Sequence, residues 1–319
     1  MPEKVLVTRE IPEAGLRPLE GFDLTVLSEL PPDRAELLEA VAGVDGVLST
    51  LTETIDREFM GAAGENLKVI ANMAVGYDNI DVVAAEERGI VVTNTPGVLD
   101  ETTADTAFML LLAAARRLGE GERIVRAGKW DAWGPKMLTG PDVWGKKLGI
   151  IGFGRIGQAV TRRAKGFSMG IFYTARSRKE DVEGEFGARY LELDELLEES
   201  DFISLHTPLT EETTHLIGAE ELRKMKREAV LVNTSRGPVV DEGALADALS
   251  EGIIFAAGLD VYEEEPKVHP KLLELENVVL APHIGSASIE TRNKMAATAG
   301  EDLRAVLRGE APENPVVEP

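Results

Sequence analysis

Three polar residues each follow an apolar run and have the side-chain types that the reduction of a 2-oxoacid requires. Arg236 follows VLVNTS, Glu265 follows AAGLDVYEE and His283 follows VVLAP. Reduction places negative charge on the keto oxygen, so a protonated imidazole must supply a proton while a guanidinium binds the substrate carboxylate. A carboxylate beside the imidazole orients it and stabilises its protonated form. Taken singly, each residue has a structural alternative: an ion-pair partner, a solvated loop residue or a hydrogen-bonded turn residue.

A GxGxxG motif lies directly after the strand-like run LGII and opens the helix-like run RIGQAVTRRAKGF. The first glycine permits a tight turn, the second lets a pyrophosphate approach the backbone, and the third lets helix and strand pack closely. This context predicts a dinucleotide site formed by Gly152, Phe153, Gly154, Arg155, Ile156 and Gly157. The alternative is a glycine-rich structural turn, which a chain with 31 glycines also allows.

The position that distinguishes NAD from NADP falls on Ala175, about 20 residues beyond the motif. The segment around it, Tyr173–Lys179, has no carboxylate for a ribose 2′-hydroxyl. It offers instead Arg176, Ser177 and Arg178, which have the charge and hydroxyl groups to bind a 2′-phosphate. The sequence therefore favours NADP(H), with NAD(H) as the alternative if these arginines only solvate a surface loop.

Apolar runs that alternate with amphipathic stretches predict an α/β fold with two doubly wound parallel sheets. Five strand-like runs lie between Lys4 and Thr95, and six follow from Lys146 onward. DETTADTAFMLLLAAARRL predicts one long, mostly buried helix, and SIETRNKMAATAGEDLRAVLRG predicts a helix that ends at Gly309.

The predicted terminal helix needs a partner surface, so we expect it to return to the first domain. The substrate domain would then be discontinuous, with residues 1–98 and 286–319. The dinucleotide-binding domain would comprise residues 99–285, with hinges near Pro96–Leu99 and His283–Ala287.

Composition argues against several classes of function. The net charge of −22 disfavours binding to nucleic acid or to anionic membranes. The absence of cysteine and the four scattered histidines predict no metal site. Without a signal peptide or a membrane-spanning run, we expect a soluble, cytoplasmic protein. The charge-rich composition would suit a thermophilic or salt-adapted host, a question that the sequence leaves open.

Beyond these patterns, the chain resembles the D-2-hydroxyacid dehydrogenase family over essentially its whole length. The matching stretches, in order, are AVGYDNID, NTPGVLDETTADTAF, GIIGFGRIGQ, VNTSRGPVVDEGAL, AAGLDVYEEEP and APHIGSAS. The resemblance implies that Arg236 binds substrate, that Glu265 pairs with the imidazole and that His283 donates the proton. It also implies that the Ala74-Val75-Gly76 backbone binds the substrate carboxylate and that Asp260 lies near the nicotinamide.

The fold implied by the resemblance is a Rossmann domain inserted into a discontinuous flavodoxin-like substrate domain. Within the family, the sequence looks most like the glyoxylate and hydroxypyruvate reductases, with Leu51 closing a small substrate pocket. Further candidate cofactor-binding residues lie after strands or near the motif stretches: Thr103, Thr207, Pro208, Thr234, Ser235, Arg236, Asp260, His283 and Gly285.

Family members are usually homodimers, and the segment Lys129–Trp144 resembles the arm that embraces the partner. The alternative is a loop whose tryptophans pack on their own subunit. Because the sequence ends at Pro319, we expect no additional regulatory domain. Other possible functions are a dehydrogenase for another 2-hydroxyacid, such as 3-phosphoglycerate or D-lactate, and a dinucleotide-sensing corepressor-like protein. A phosphorylated substrate would call for a cation in the Ser49–Thr54 segment, STLTET, which contains none.

Overall fold

The computed structural model describes residues 2–28 and 30–316, and the chain divides into two compact units. The first unit comprises Met1–Leu99 and Ala287–Pro319, and the second comprises Asp100–Ser286. The outer bounds of the predicted substrate domain, residues 1 and 319, lie outside the described residues. No helix in the described part of the chain combines the length and the apolar composition needed to cross a membrane.

Twelve strands and thirteen α-helices are found in the described residues. The strands are β1 Lys4–Val7, β2 Asp23–Val26, β3 Gly46–Ser49, β4 Val69–Asn72, β5 Val91–Thr93, β6 Lys147–Ile151, β7 Gly170–Thr174, β8 Ala188–Tyr190, β9 Phe202–Leu205, β10 Val230–Asn233, β11 Ala256–Leu259 and β12 Val278–Leu280. The helices are α1 Glu13–Leu16, α2 Arg34–Ala40, α3 Arg57–Ala63, α4 Val82–Glu87, α5 Asp100–Ala115, α6 Leu118–Arg126, α7 Arg155–Gly166, α8 Glu180–Phe186, α9 Leu193–Glu199, α10 Ala219–Lys224, α11 Glu242–Ser250, α12 Pro270–Glu274 and α13 Ile289–Leu307.

The first unit is built on a five-stranded parallel sheet with the order β2-β1-β3-β4-β5. This is the flavodoxin-like order, in which the strand order reverses between β1 and β3 and leaves a crevice at their carboxyl ends. Helix α13 begins at the N-cap Ser288, whose hydroxyl accepts a hydrogen bond from the Thr291 amide, and packs against α1, β3 and β4.

The second unit is built on a seven-stranded parallel sheet with the order β12-β11-β10-β9-β6-β7-β8. This is the doubly wound order of a Rossmann fold, with its switch point between β6 and β9. Apolar side chains are buried on both faces: Val230 and Val232 of β10 belong to one cluster, and Leu231 belongs to the other. A sheet covered on both faces explains the continuous apolar runs of the sequence.

The α/β fold with two parallel sheets is confirmed, but two details of the prediction were wrong. The second sheet has a seventh strand, β8, which has three residues and, among the described residues, pairs with β7 alone. Three residues are too few to show an alternating pattern. The predicted long helix ends at Ala115, because Arg117 adopts a left-handed backbone conformation with φ 52° and a new helix starts at Leu118.

Candidate active site

The glycine motif forms the turn between β6 and α7 at the switch point of the second sheet. Gly152 has φ 93°, and a Cβ there would lie 2.5 Å from the His206 carbonyl oxygen. A Cβ on Gly157 would lie 2.4 Å from the Gly152 carbonyl oxygen, so the helix and the turn touch through bare backbone. A Cβ on Gly154 would meet nothing within 4 Å. The turn therefore packs tightly at Gly152 and Gly157 and leaves open space at Gly154, the N-cap of α7, as a pyrophosphate site requires.

The three non-glycine residues of the motif differ in how far they are buried. Phe153 is buried and stacks on Tyr173 with 4.3 Å between ring centroids, so its side chain supports the turn from the core. Arg155 and Ile156 begin α7 and are respectively exposed and half-buried.

Unpartnered buried hydroxyls lie at the carboxyl ends of the central strands. The Oγ1 atoms of Thr207, after β9, and Thr234, after β10, are buried and make no hydrogen bond within the described residues. Buried hydroxyls normally have partners, so these two atoms fit a polar ligand at this edge of the sheet. Together with the glycine turn, they fit the predicted dinucleotide. The other candidates lie around the same edge: Pro208 after Thr207, Ser235 after Thr234, and Thr103 of α5 near Gly285.

The residues predicted to bind a 2′-phosphate lie in the segment after β7, and Ala175 directly follows this strand. Arg178 donates through Nε and Nη2 to the two carboxylate oxygens of Glu183, at 2.7 and 2.8 Å. The Arg178 hydrogen bonds and a third from the Tyr173 hydroxyl lower the pKa of Glu183 to about 2. Arg176 is exposed, and its positive charge helps to lower the pKa of Glu212. The two guanidiniums are therefore not equivalent: Arg178 has a bidentate carboxylate partner.

Arg236 lies in the turn that follows β10. Asn233 shapes this turn: its Nδ2 donates to the Arg236 carbonyl at 2.9 Å, and its Oδ1 accepts from the Ser235 amide at 3.0 Å. A Cβ on the next residue, Gly237, would lie 1.9 Å from the Tyr262 carbonyl carbon. Only glycine therefore lets the Arg236 turn pack directly on the segment that leads to Glu265.

His283 and Glu265 form a direct pair. The Nδ1 atom of His283 is 2.8 Å from Oε2 of Glu265, and the other oxygen of Glu265 accepts from the Tyr262 amide at 3.1 Å. Burial opposes ionisation of Glu265, but the hydrogen bond and charge of His283 outweigh it and hold the pKa of this carboxyl below its ordinary value. An ionised carboxylate only accepts, so Nδ1 carries a proton and Nε2 is directed away from the pair. Arg236 adds a favourable charge interaction with Glu265.

Asp260 holds the turn that carries His283. This buried residue follows β11, and its two carboxylate oxygens accept from the amides of Ile284 and Gly285 at 2.8 and 2.7 Å. Its carbonyl accepts from the His283 amide at 3.0 Å. Burial raises the pKa of Asp260. Asp260 therefore fixes the backbone on both sides of the His283 ring.

The predicted substrate-binding residues of the first unit follow β3 and β4. The carbonyls of Ala74, Val75 and Gly76 accept from the Thr95 amide, the Asn94 side chain and the Asn72 side chain. The N–H groups of Val75 and Gly76 form no hydrogen bond within the described residues. Because every carbonyl of this segment is satisfied, its two unused donors suit an anion. Leu51 lies in the Thr50–Glu53 segment and is half-buried.

Two groups were missed by sequence reasoning. The half-buried His206 contacts Ser204 through Nε2 at 2.8 Å, and desolvation of the ring lowers its pKa to about 3, so it is neutral beside the glycine turn. Arg9, which follows β1, pairs with Glu53 and donates to the Thr52 hydroxyl at 2.6 Å, beside the predicted substrate segment. The signal for Arg9 was its place just after β1, which neighbours β3 in this strand order.

Comparison with known proteins agrees with this geometry. Residues 108–285 match the family profile "D-isomer specific 2-hydroxyacid dehydrogenase, NAD binding domain". The chain is 58% identical over 319 residues to a glyoxylate reductase of Korarchaeum cryptofilum, which covers 98% of this chain and 96% of the relative. It is 38% identical, with a TM-score of 0.87, to the structure of a glyoxylate reductase from Paecilomyes thermophila, covering 99% and 98% of the two chains.

A second solved structure is similar at 35% identity and a TM-score of 0.87, covering 99% of this chain and 97% of the other. It is an NADPH-dependent glyoxylate/hydroxypyruvate reductase from Sinorhizobium meliloti in complex with NADP and malonate. The paired His283 and Glu265, the glycine turn and these full-length similarities agree with one another, and the chain belongs to the D-isomer-specific 2-hydroxyacid dehydrogenase family.

Proposed function

We propose that this protein reduces glyoxylate and hydroxypyruvate to the corresponding 2-hydroxyacids. The observation that carries the proposal is the 2.8 Å contact between His283 Nδ1 and Glu265 Oε2, next to the turn of Arg236. This pair supplies an oriented proton donor, and the guanidinium supplies a carboxylate anchor. The names of the similar reductases support the same substrates.

In this proposal Arg236, Glu265 and His283 each have a separate role. When bound, the nicotinamide cofactor supplies a hydride to the keto carbon of the substrate. Protonated His283 donates the proton on Nε2 to the keto oxygen, which becomes the hydroxyl of the product. Glu265 accepts the Nδ1–H bond and stabilises the positive charge of the ring until that proton has moved. Arg236 binds the substrate carboxylate through two parallel hydrogen bonds.

The residues that hold the dinucleotide lie on the second unit. The pyrophosphate binds at the N-terminus of α7, where Gly154 leaves the backbone open. Thr207 and Thr234 offer their buried hydroxyls to the cofactor. In the first unit, the proposal assigns substrate contacts to Leu51 and to the unused amides of the Ala74–Gly76 segment.

The proposal includes a preference for NADPH. Ala175 provides no carboxylate for a ribose 2′-hydroxyl, and Arg176 follows it as an exposed cation. Arg178 contributes less, because Glu183 already binds its guanidinium on two oxygens. A similar reductase is described as NADPH-dependent, which supports this choice.

We also propose that two copies of the chain form a homodimer through the arm, residues 129–144. Trp130, Trp133 and Trp144 are 55%, 78% and 71% exposed, so their own subunit leaves more than half of each residue uncovered. Three exposed tryptophans within one segment are typical of a surface that another protein covers.

We further propose that the enzyme works in the cytoplasm. A charged dinucleotide does not cross an apolar bilayer, so the enzyme works where the cell keeps its pool of nicotinamide dinucleotides.

One experiment tests the proposed function. The purified protein is mixed with NADPH or NADH and with glyoxylate, hydroxypyruvate, pyruvate or phosphohydroxypyruvate, and loss of reduced nicotinamide absorbance is followed. We expect oxidation with glyoxylate and hydroxypyruvate, faster with NADPH, and little in a His283→Asn control. Cofactor binding without oxidation by any 2-oxoacid would contradict the proposal and favour a dinucleotide-sensing protein.

A further inference from the structure

A buried carboxylate organises the carboxyl edge of the first sheet. Glu53 is 4% exposed, and five hydrogen bonds of 2.7–3.0 Å converge on its two oxygens. The donors are the amide and hydroxyl of Thr50, the hydroxyls of Thr8 and Thr52, and Nε of Arg9. Burial opposes ionisation, but the bonds from Thr52, Thr50 and Thr8 outweigh it and lower the pKa of Glu53. Glu53 is therefore a buried anion that its neighbours fully satisfy.

This cluster lies at the switch point of the first sheet. Thr8 and Arg9 follow β1, and the Thr50–Glu53 segment follows β3, the two parallel strands between which the strand order reverses. Open parallel sheets bind their ligands at this place. Nδ2 of Asn79 also donates to the carbonyls of Thr50 and Glu53, at 3.0 and 2.9 Å. The segment that presents Leu51 is thus fixed from two sides.

The cluster holds one cation whose charge is offset. Arg9 donates through Nε to Glu53 at 3.0 Å and through Nη2 to the Thr52 hydroxyl at 2.6 Å, and its side chain is 21% exposed. A guanidinium beside threonine hydroxyls is a set of groups that binds phosphate. The adjacent carboxylate cancels this attraction and repels a phosphate dianion. The cation missing from STLTET is thus supplied by Arg9, from the segment that follows β1, and is neutralised by Glu53.

We propose that Glu53 is a specificity-determining residue: by fixing the Thr50–Glu53 segment and neutralising Arg9, it favours glyoxylate and hydroxypyruvate over 2-oxoacids with a phosphate on C3. This inference rests on the proposed function, in which Leu51 contacts the substrate. Glu53 acts through Arg9 and the loop, so it is a positioning residue. It discriminates by repulsion of the wrong substrate as well as by attraction of the right one.

Glu53→Gln tests the proposal, because it removes the charge and keeps the size. The measurement is kcat/KM for phosphohydroxypyruvate divided by kcat/KM for hydroxypyruvate. We expect this ratio to rise about tenfold, chiefly through a lower KM for the phosphorylated substrate, since an unneutralised Arg9 attracts phosphate. Adding Arg9→Gln to this variant should return the ratio towards the wild-type value. An equal loss on both substrates would mean that Glu53 only stabilises the fold, and would overturn the inference.

Glu87→Gln is the matched control, because it removes the same charge from an exposed ion pair with Arg57 on the first unit. Its ratio should match that of the wild type; a similar rise there would overturn the inference, because general charge would explain it. A wild type inactive on both substrates would overturn the proposed function and this inference together. Parallel changes in an otherwise active enzyme would overturn the inference alone.

If Glu53→Gln fails to fold, Arg9→Gln in the wild-type background keeps the question testable. The readout is inhibition by the products glycerate and 3-phosphoglycerate. Selective weakening of the phosphorylated inhibitor would support Arg9 as the cation that Glu53 neutralises. Equal weakening of both inhibitors would overturn that assignment.

Discussion

His283 has a left-handed backbone conformation, with φ 55°, in which residues other than glycine are strained by about 1–3 kcal/mol. Asp260 offsets this strain, because its carbonyl and both carboxylate oxygens bind the amides of residues 283–285. The ring is thereby aimed before any substrate arrives, so no ordering has to accompany the proton transfer.

This conformation decides the best substitution for His283. Asparagine tolerates the left-handed region, so His283→Asn removes the proton donor with the least backbone change. We expect kcat with glyoxylate to fall at least about 100-fold. NADPH affinity, measured by the quenching of protein fluorescence, should stay nearly constant. Near-normal turnover would show that another group donates the proton.

Glu265→Gln tests the electrostatic half of the pair. The lowered pKa of Glu265 means that the wild type carries a negative charge beside the imidazole throughout the neutral range. That charge favours the form of the ring that donates a proton, so its removal should move the loss of reductive activity at high pH downward. The measurement is the pH profile of kcat/KM for glyoxylate. Identical profiles in variant and wild type would mean that the pair is not coupled.

These residues could be proposed from the sequence because each follows a strand of a parallel sheet, where ligands bind. The pairing of Arg9 with Glu53 could not be proposed in this way. These residues lie 44 positions apart, and only the packing of β1 beside β3 brings them together. Arg176 and Arg178 also look alike in the sequence, because the bond from Arg178 to Glu183 forms only when α8 places Glu183 against the loop that follows β7.

At the scale of an element, the segment after β7 separates the two arginines by function. Arg176→Ala should lower the preference for NADPH over NADH by about 10- to 100-fold, since one charge-assisted contact is worth about 1.5–3 kcal/mol. Arg178→Ala should change the preference less, because its charge is already paired with Glu183. The measurement is the ratio of kcat/KM values for the two cofactors. A larger effect at Arg178 would reverse this assignment.

Helices and strands with a clear pattern of apolar residues could be predicted from the sequence. Boundaries and short strands that depend on single residues could not. The strands buried on both faces read as apolar runs, and α13 begins at Ser288, a typical N-cap. The break after Ala115 was hidden, because Arg116 and Arg117 have good helix propensity. Strand β8 forms because β7 offers it a free edge, which its own three residues do not indicate.

At the scale of the whole molecule, the exposed tryptophans of the arm predict an assembly. We expect the wild type to have twice the mass of one chain by light scattering. Replacing Trp130 and Trp133 with serine should shift the mass towards one chain, because large aromatic residues dominate interface energies. Leu273→Ser, at a residue 63% exposed on α12, is the matched control and should leave the mass unchanged. A double variant with the wild-type mass would place the interface elsewhere.

The second unit begins at Asp100 and ends at Ser286, and its two ends meet: the Thr106 hydroxyl of α5 donates to the Gly285 carbonyl at 3.3 Å. A segment whose ends adjoin can enter a loop of another protein without pulling that protein apart. A single stretch of coding sequence, from Asp100 to Ser286, therefore encodes the whole second unit. Genetic exchange at these two points would transplant the glycine turn, the proposed cofactor loop and the proposed proton donor together, and leave the substrate loops of the recipient in place.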